Sequence, residues 1–187
     1  QWRSRALTPS WRGVAATVAS GLLLSSLWVN VSYEEGPLFL PSEIRRDHTA
    51  TVVSYGEGMN KQLEVNGIGI TKLTPVAKVM AHMPLAFLRH PPESAAVICL
   101  GMGTTFRSLM SWNIDTTAVE LASGVVDALP YYFADAEALV NAPRGHIAVD
   151  DGRRFLQRIS RRFDVVTIDP PPPIEAAGSS LLYSENL

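Results

Sequence analysis

The chain has 187 residues, 47% of them hydrophobic and 18% charged, with a formal net charge of −2. That suffices for one domain with a core and a small appendage, and the near-neutral balance gives no electrostatic ground for a nucleic-acid partner. The single cysteine, Cys99, excludes an intramolecular disulfide framework, and His48, His82, His90 and His146 lie scattered without zinc spacing, so no metal is expected.

Residues 1–12 carry Arg3, Arg5 and Arg12 and no acid, and residues 13–33 (GVAATVASGLLLSSLWVNVSY) carry no charge. About 20 residues of apolar helix span a bilayer core. Residues 1–35 are therefore expected to be a transmembrane or signal-like segment, with a buried soluble helix as the third alternative. The Ser, Thr, Gly and Asn content suits a helix packed among other helices. On this reading the chain attaches to a membrane through 13–33 and carries its catalytic domain on the cytoplasmic side. Residues 36–46, opening with GPLFLP, read as a linker. The start at Gln1 and the stop at Leu187 read as the ends of a piece of something longer.

Residues 47–73 predict a small antiparallel β-unit. TATVVSY (49–55), KQLEV (61–65) and IGITKL (68–73) are separated by Gly56-Glu57-Gly58 and Asn66-Gly67. Asn-Gly between two extended runs is the strongest short hairpin signal. In 75–88, Val76, Val79, Met80, Met83 and Phe87 fall on one helical face, which is expected to pack into the core. His90-Pro91-Pro92 ends that helix, because a residue before proline is pushed out of the α region.

The chain is organised around 95–121. Ala96-Val97-Ile98-Cys99-Leu100 is an apolar run suited to a strand covered on both faces of a parallel sheet. Gly101 and Gly103 permit a sharp turn and close backbone approach to a ligand. A helix from about Thr104 to Trp112 follows, with Phe106 where a third fingerprint glycine would stand. Glu120, about 20 residues beyond the first glycine, suits a carboxylate that accepts ribose hydroxyls.

Downstream, 122–133 reads as helix interrupted at Pro130, 135–140 as a helical turn or two, and RGHIAV (144–149) as a strand. A helix over 153–160, with Phe155, Leu156 and Ile159 on its apolar face, leads to the strand FDVVTI (163–168). Strands alternating with helices at this spacing predict an α/β fold: the small β-unit, then the first half of a doubly wound Rossmann-like parallel sheet over 74–187. Three strand ends deliver acids, Glu120, Asp150-Asp151 and Asp169. In an open parallel sheet these converge on one crevice. For Asp150 or Asp151 the cap of the next helix is the competing role.

From about residue 47 the chain resembles the spermidine synthase (polyamine aminopropyltransferase) family, which shares the class I S-adenosylmethionine-dependent methyltransferase fold. LEVNGIGIT resembles the family's β-domain turn, HMPLAFLRH its helix ending, and VICLGMGTTFRS its "GGGDGG…RE" segment. AVEL, VDDGRRFL and FDVVTIDPPPP resemble its acid-terminated second strand, "GDGxxFL" and "FDVIIxDSxDP". The resemblance implies that Glu120 binds the ribose hydroxyls of a nucleoside donor and that Asp151 with Gly152 sits at the adenine amino group. Asp150 stands with them as cofactor-binding. Gly101 and Gly103 would line the sulfur end, and Asp169 would be the catalytic acid that assists deprotonation of an attacking amine.

The departures are Met102 for the family's donor-holding Asp, Pro172 for its second Asp, and Val76-Ala77-Lys78 for its polyamine-contacting segment. Each lost charge-assisted bond would cost about 1.5–3 kcal/mol. The resemblance thus implies a transferase that takes decarboxylated S-adenosylmethionine, or S-adenosylmethionine, as donor substrate and an amine as acceptor. A homodimer is compatible with it. The alternatives are a methyltransferase, which Asp169-Pro170-Pro171 also resembles in a "D/N-P-P" motif, and a non-catalytic nucleoside- or polyamine-sensing domain of a membrane protein.

Overall fold

A computed structural model describes residues 10–28, 32, 34 and 40–170. The chain divides into two compact units, Gln1–Gly36 and Pro37–Leu187, and each is taken by itself.

In the first unit, α1 (Trp11–Trp28) is an 18-residue helix whose described side chains are exposed. Thr17, Ser25 and Ser26 donate their hydroxyls to the carbonyls of Gly13, Leu22 and Leu23 at 2.9, 2.9 and 2.8 Å. A helix satisfies such hydroxyls on its own backbone in this way. Among the described residues no helix is long and apolar enough to cross a membrane. This corrects the expected span over 13–33, together with the membrane attachment and membrane location drawn from it. Hydroxyl residues and glycines dilute the apolar content, and residues 29–31 and 33 of the expected span lie outside the described residues.

The second unit begins with an antiparallel meander of β1 (Ser42–Arg46), β2 (Thr51–Tyr55), β3 (Gln62–Val65) and β4 (Ile68–Lys72), in that spatial order. Asn66 and Gly67 have φ of 53° and 77°, as a two-residue hairpin turn with left-handed central residues requires, and Val65 faces Ile68 across it. The expected β-unit is present and longer than 47–73. Strand β1 occupies part of the expected linker, where SEIRR alternates exposed and half-buried positions against β2.

The parallel sheet has the order β7-β6-β5-β8, from β5 (Ser94–Ile98), β6 (Asp115–Glu120), β7 (Gly145–Val149) and β8 (Val165–Ile168). Strand β5 is central among the described strands, parallel to β6 on one side and β8 on the other. Its Ala95, Ala96, Val97 and Ile98 are buried, as the apolar run predicts. Chain order reverses across β5, so the crevice at the carboxyl ends of β5 and β8 is a topological switch point, where such sheets bind ligands.

The connections are α2 (Pro75–Ala86), α3 (Thr104–Met110), α4 (Ser123–Asp127), α5 (Leu129–Tyr132), α6 (Ala136–Val140) and α7 (Gly152–Arg158). Pro130 separates α4 from α5 at the position expected, at the start of the new helix where proline is tolerated.

Phe106 and Leu109 of α3, Ala81 and Leu85 of α2, Val97, Ala118, Leu129 and Val165 form the main core. Full burial of a side chain the size of Phe106 stabilises by roughly 1.5–3 kcal/mol. The expected apolar face of α2 is corrected. Val76, Val79, Met83 and Phe87 are exposed, Phe87 by 78%. The helix lies close on its neighbours through its smaller side. Ala81 and Leu85 are buried, Thr105 donates to the Ala77 carbonyl at 3.1 Å, and Thr167 to that of Met80 at 3.3 Å.

A second core joins the meander to the parallel sheet's connections, from Ala50, Val52 and Leu63 on one side and Met102, Ala122, Val125, Ala128 and Tyr132 on the other. Polar clamps reinforce it. Ser54 and Tyr132 share a buried 2.5 Å hydrogen bond, and Lys61 Nζ donates to the Tyr131 carbonyl at 2.6 Å.

Candidate functional site

The loop after β5 turns under three left-handed residues, Cys99, Gly101 and Gly103, with φ of 71°, 54° and 81°. Cys99 is held there by its N–H, which donates to the Val119 carbonyl of β6 at 2.9 Å. Gly103 starts α3, and a Cβ at this position would lie 2.7 Å from Leu129 Cδ2. A side chain there would be strained by the left-handed backbone and would have to displace the end of Leu129. The loop, Thr71 of β4, Ala77 of α2, Thr104 and Thr105 of α3, and Asp169-Pro170 after β8 line a cleft of about 230 Å³.

Glu120 ends β6, as expected, and its carboxylate is engaged by backbone. Oε2 accepts from the amides of Leu100 and Gly101 at 3.0 and 3.4 Å. Oε1 accepts from those of Leu121 and Ala122 at 2.9 and 3.2 Å. Burial raises its pKa, and the four amides oppose that rise. The Gly101 bond is the longest of the four and the weakest by geometry.

Asp169 sits just beyond β8, where its N–H donates to the Ile98 carbonyl at 3.1 Å. Its side chain is exposed at the cleft, and the partial burial of the carboxyl raises its pKa above 3.8.

Asp150 and Asp151 separate into two roles. Asp151 caps α7, its Oδ1 accepting from the Arg154 amide at 2.8 Å. Asp150 accepts from the Arg154 guanidinium at 2.7 and 3.1 Å and from Arg158. These bonds, Arg154's first, lower its pKa. Gly152 lets α7 begin against the sheet, since a Cβ there would stand 2.3 Å from Ile98 Cγ2 at the end of β5.

The Cys99 thiol reports on how these groups converge. Burial pushes it up to about 12, and the charges of Glu120, Asp169 and Asp151 add to the rise. Of the strand-end acids only Asp169 lines the cleft; Glu120 holds the loop amides from behind, Asp151 caps α7 and Asp150 is bound up with its arginines. Among the described residues no His, Cys, Asp and Glu cluster has the arrangement of a metal site.

Met102, which stands where the family resemblance places an acid, is 2% exposed and packed in the second core, and it borders the cleft as well. Of the segment matched to polyamine contacts, Ala77 lines the cleft while Val76 and Lys78 are exposed. Pro172 lies outside the described residues.

Sequence reasoning missed Thr71, which strand alternation alone does not direct at a cleft. It also missed Asp47, whose Oδ1 accepts from Thr49 and Ala50 amides at 2.6 and 2.8 Å. An Asp two residues before Thr is a local turn signal. The other oxygen of Asp47 reaches Ser123 and Gly124, which no local pattern reveals.

A parallel sheet that reverses its strand order at a glycine loop, with acids at successive strand ends, defines a doubly wound α/β domain of the class I methyltransferase type. The family model "Spermine/spermidine synthase domain" matches residues 74–187. The chain belongs to that family. A polyamine aminopropyltransferase of Thermococcus kodakarensis is 32% identical over 155 residues, covering 76% of this chain and 52% of the relative. That of Thermoplasma volcanium is 29% identical over 112 residues, covering 58% of this chain and 41% of the relative. The chain therefore spans about half the length, or less, of the curated relatives it matches. A crystal structure of spermidine synthase in complex with the transition-state analogue AdoDATO has the same fold, with a TM-score of 0.65 at 21% identity over 77% of this chain and 50% of that one. The Thermotoga maritima spermidine synthase gives 0.60 at 20% identity over 71% and 48%.

Proposed function

We propose that this chain forms the donor-binding part of an aminopropyltransferase, which takes decarboxylated S-adenosylmethionine as donor and an amine as acceptor. The observation that carries the proposal is the placement of Asp169 beside the glycine loop, the two lining one cleft at the switch point. The family membership and the aminopropyltransferase relatives support the reaction class. The AdoDATO complex of a structural neighbour supports a donor of this shape.

In the reaction proposed, the amine nitrogen attacks the carbon beside the sulfonium. The carbon–sulfur bond breaks with its electrons going to sulfur, a neutral thioether nucleoside leaves, and the nitrogen loses a proton. The role assigned to Asp169 is to orient the amine and accept that proton. A carboxylate with a raised pKa is a stronger base for it. Glu120 would meet the ribose hydroxyls, and Asp151 with Gly152 the adenine edge. Asp150 is left out of the proposal, because its oxygens hold Arg154 and Arg158.

The acceptor we assign is an amine other than a standard polyamine. Ala77 and Met102 both line the cleft where the family has polar or acidic contacts, and Met102 packs as well in an apolar core. In the purified protein, Asp169→Asn is expected to abolish transfer and leave donor binding by calorimetry unchanged. Undiminished turnover would overturn the assignment. Tighter binding of S-adenosylmethionine than of its decarboxylated form would redirect the reading to methyl transfer.

A further inference from the structure

Helix α4 starts three residues after Glu120, and its N-cap residue, Ala122, has no side-chain oxygen to accept from the first-turn amides. The cap comes from the meander instead. Asp47, between β1 and β2, accepts through Oδ2 from Ser123 Oγ and the Gly124 amide, each at 2.8 Å. Through Oδ1 it accepts from the amides of Thr49 and Ala50 in its own turn. A carboxylate offers about four acceptor positions, and here two fix the turn and two fix the start of α4. These bonds, Gly124's first, hold the Asp47 carboxyl well below the usual carboxylate range.

Segment 120–124 is consequently held by two carboxylates. Asp47 fixes its far end at Ser123 and Gly124, and Glu120 accepts from Leu121 and Ala122 in its middle. The second oxygen of Glu120 holds the amides of Leu100 and Gly101, two residues that line the cleft. A continuous path of hydrogen bonds and short covalent segments therefore runs from the meander to the cleft wall. If the start of α4 shifts, the amides that orient Glu120 shift with it, and the loop loses its anchor.

We propose that Asp47 is a positioning residue, which sets the Glu120 carboxylate and through it the glycine loop that faces the donor. The role in donor binding rests on the function proposed above; the role in ordering the loop does not. The meander on this account is a working part of the site, and it acts through a side chain that never reaches the cleft.

The test compares Asp47→Asn and the milder Ser123→Ala with Ser54→Ala, which breaks a buried meander contact to Tyr132 outside this path. Hydrogen exchange at the Leu100 and Gly101 amides is expected to quicken about tenfold in Asp47→Asn and by less in Ser123→Ala. Ser54→Ala, even with a comparable drop in melting temperature, is expected to leave those amides as they are. Binding of decarboxylated S-adenosylmethionine should weaken about fivefold in Asp47→Asn, with the rate at saturating donor unchanged. Equal quickening in Ser54→Ala, or none in Asp47→Asn, would overturn the proposal and reduce Asp47 to a stabilising contact. Failure of the unaltered protein to bind the donor would defeat the functional reading instead, and the exchange comparison would still decide this one.

Discussion

Replacing Met102 with Asp restores the acid of the family pattern, and the structure predicts that it harms the protein. Met102 is 2% exposed, among Val52, Leu63, Val125 and Tyr132. Losing that burial costs about 2 kcal/mol. A carboxyl in the same place must stay neutral, and holding it so costs roughly 1.4 kcal/mol for each pH unit above its unfolded pKa of about 3.9. The folded pKa of the new group lies above the unfolded one. Its stability deficit is therefore small below that unfolded value and grows as pH rises toward the folded value. Together the two costs come to about 3.5 kcal/mol at pH 5 and at most about 6 at pH 7, a large share of the roughly 5–15 kcal/mol that holds a domain folded. Thermal melting at both pH values, with Met102→Leu as a control expected to cost less than about 1.5 kcal/mol, reads the effect directly. Calorimetry should find no gain in donor affinity. A melting temperature unchanged from pH 5 to pH 7, with tighter binding of the decarboxylated donor, would refute the reasoning, because it would show the side chain at 102, a residue that borders the cleft and packs in the second core, turned out of that core.

Glu120→Ala removes the acceptor shared by four backbone amides. It is expected to weaken donor binding at least tenfold by calorimetry, one charge-assisted bond being worth about 1.5–3 kcal/mol. In the unaltered protein the raised Glu120 pKa makes stability from this group fall as pH climbs from 4.5 through the folded value, and pH-dependent melting should lose that slope in the variant. The Cys99 thiol, pushed up to about 12, is expected to resist alkylation at pH 8, where only about one thiol in ten thousand is ionised. Rapid modification of the folded protein, followed by mass spectrometry, would contradict that environment.

The parts of this fold that were legible in the sequence are those set by local chemistry. Asn66-Gly67 dictates its hairpin through two left-handed residues, and Pro130 dictates a helix boundary. The apolar run at 96–100 suits a strand buried on both faces, and β5 carries it as far as Ile98 before the loop turns at Cys99. That Glu120, Asp150-Asp151 and Asp169 stand at one edge of the sheet followed from topology, since parallel strands deliver their carboxyl ends there; only Asp169 lines the cleft. What was not legible depends on contacts distant in sequence. Helical periodicity picked the bulky side of α2, while its packing partners, Thr105 and Thr167, reach its carbonyls and draw in the small side. An apolar stretch without charge suggested a membrane span over 13–33, but the described helix, Trp11–Trp28, takes in Arg12 along with its serines and glycines, and among the described residues no helix is long and apolar enough to cross a membrane. Asp47 announced its own turn and nothing of Gly124, which lies 77 residues further on.

Three residues in and just after the glycine loop, Cys99, Met102 and Phe106, fit together physically. Cys99 takes a left-handed conformation that costs a non-glycine residue roughly 1–2 kcal/mol, and the bond to Val119 and the amides on Glu120 hold the loop in it. Phe106 fills the main core where a third glycine would let the helix approach, and Met102 fills the second core where an acid would face the ligand. The loop is therefore fastened by apolar side chains on both sides and by one carboxylate beneath it. On the function proposed above, an arrangement of that kind would keep the backbone amides and the space of a nucleoside cradle while removing charge from its far end. Among the described residues that line the cleft, Asp169 is then the one carboxylate. On the function proposed above, a second cationic centre on the acceptor would find no carboxylate among these residues besides Asp169.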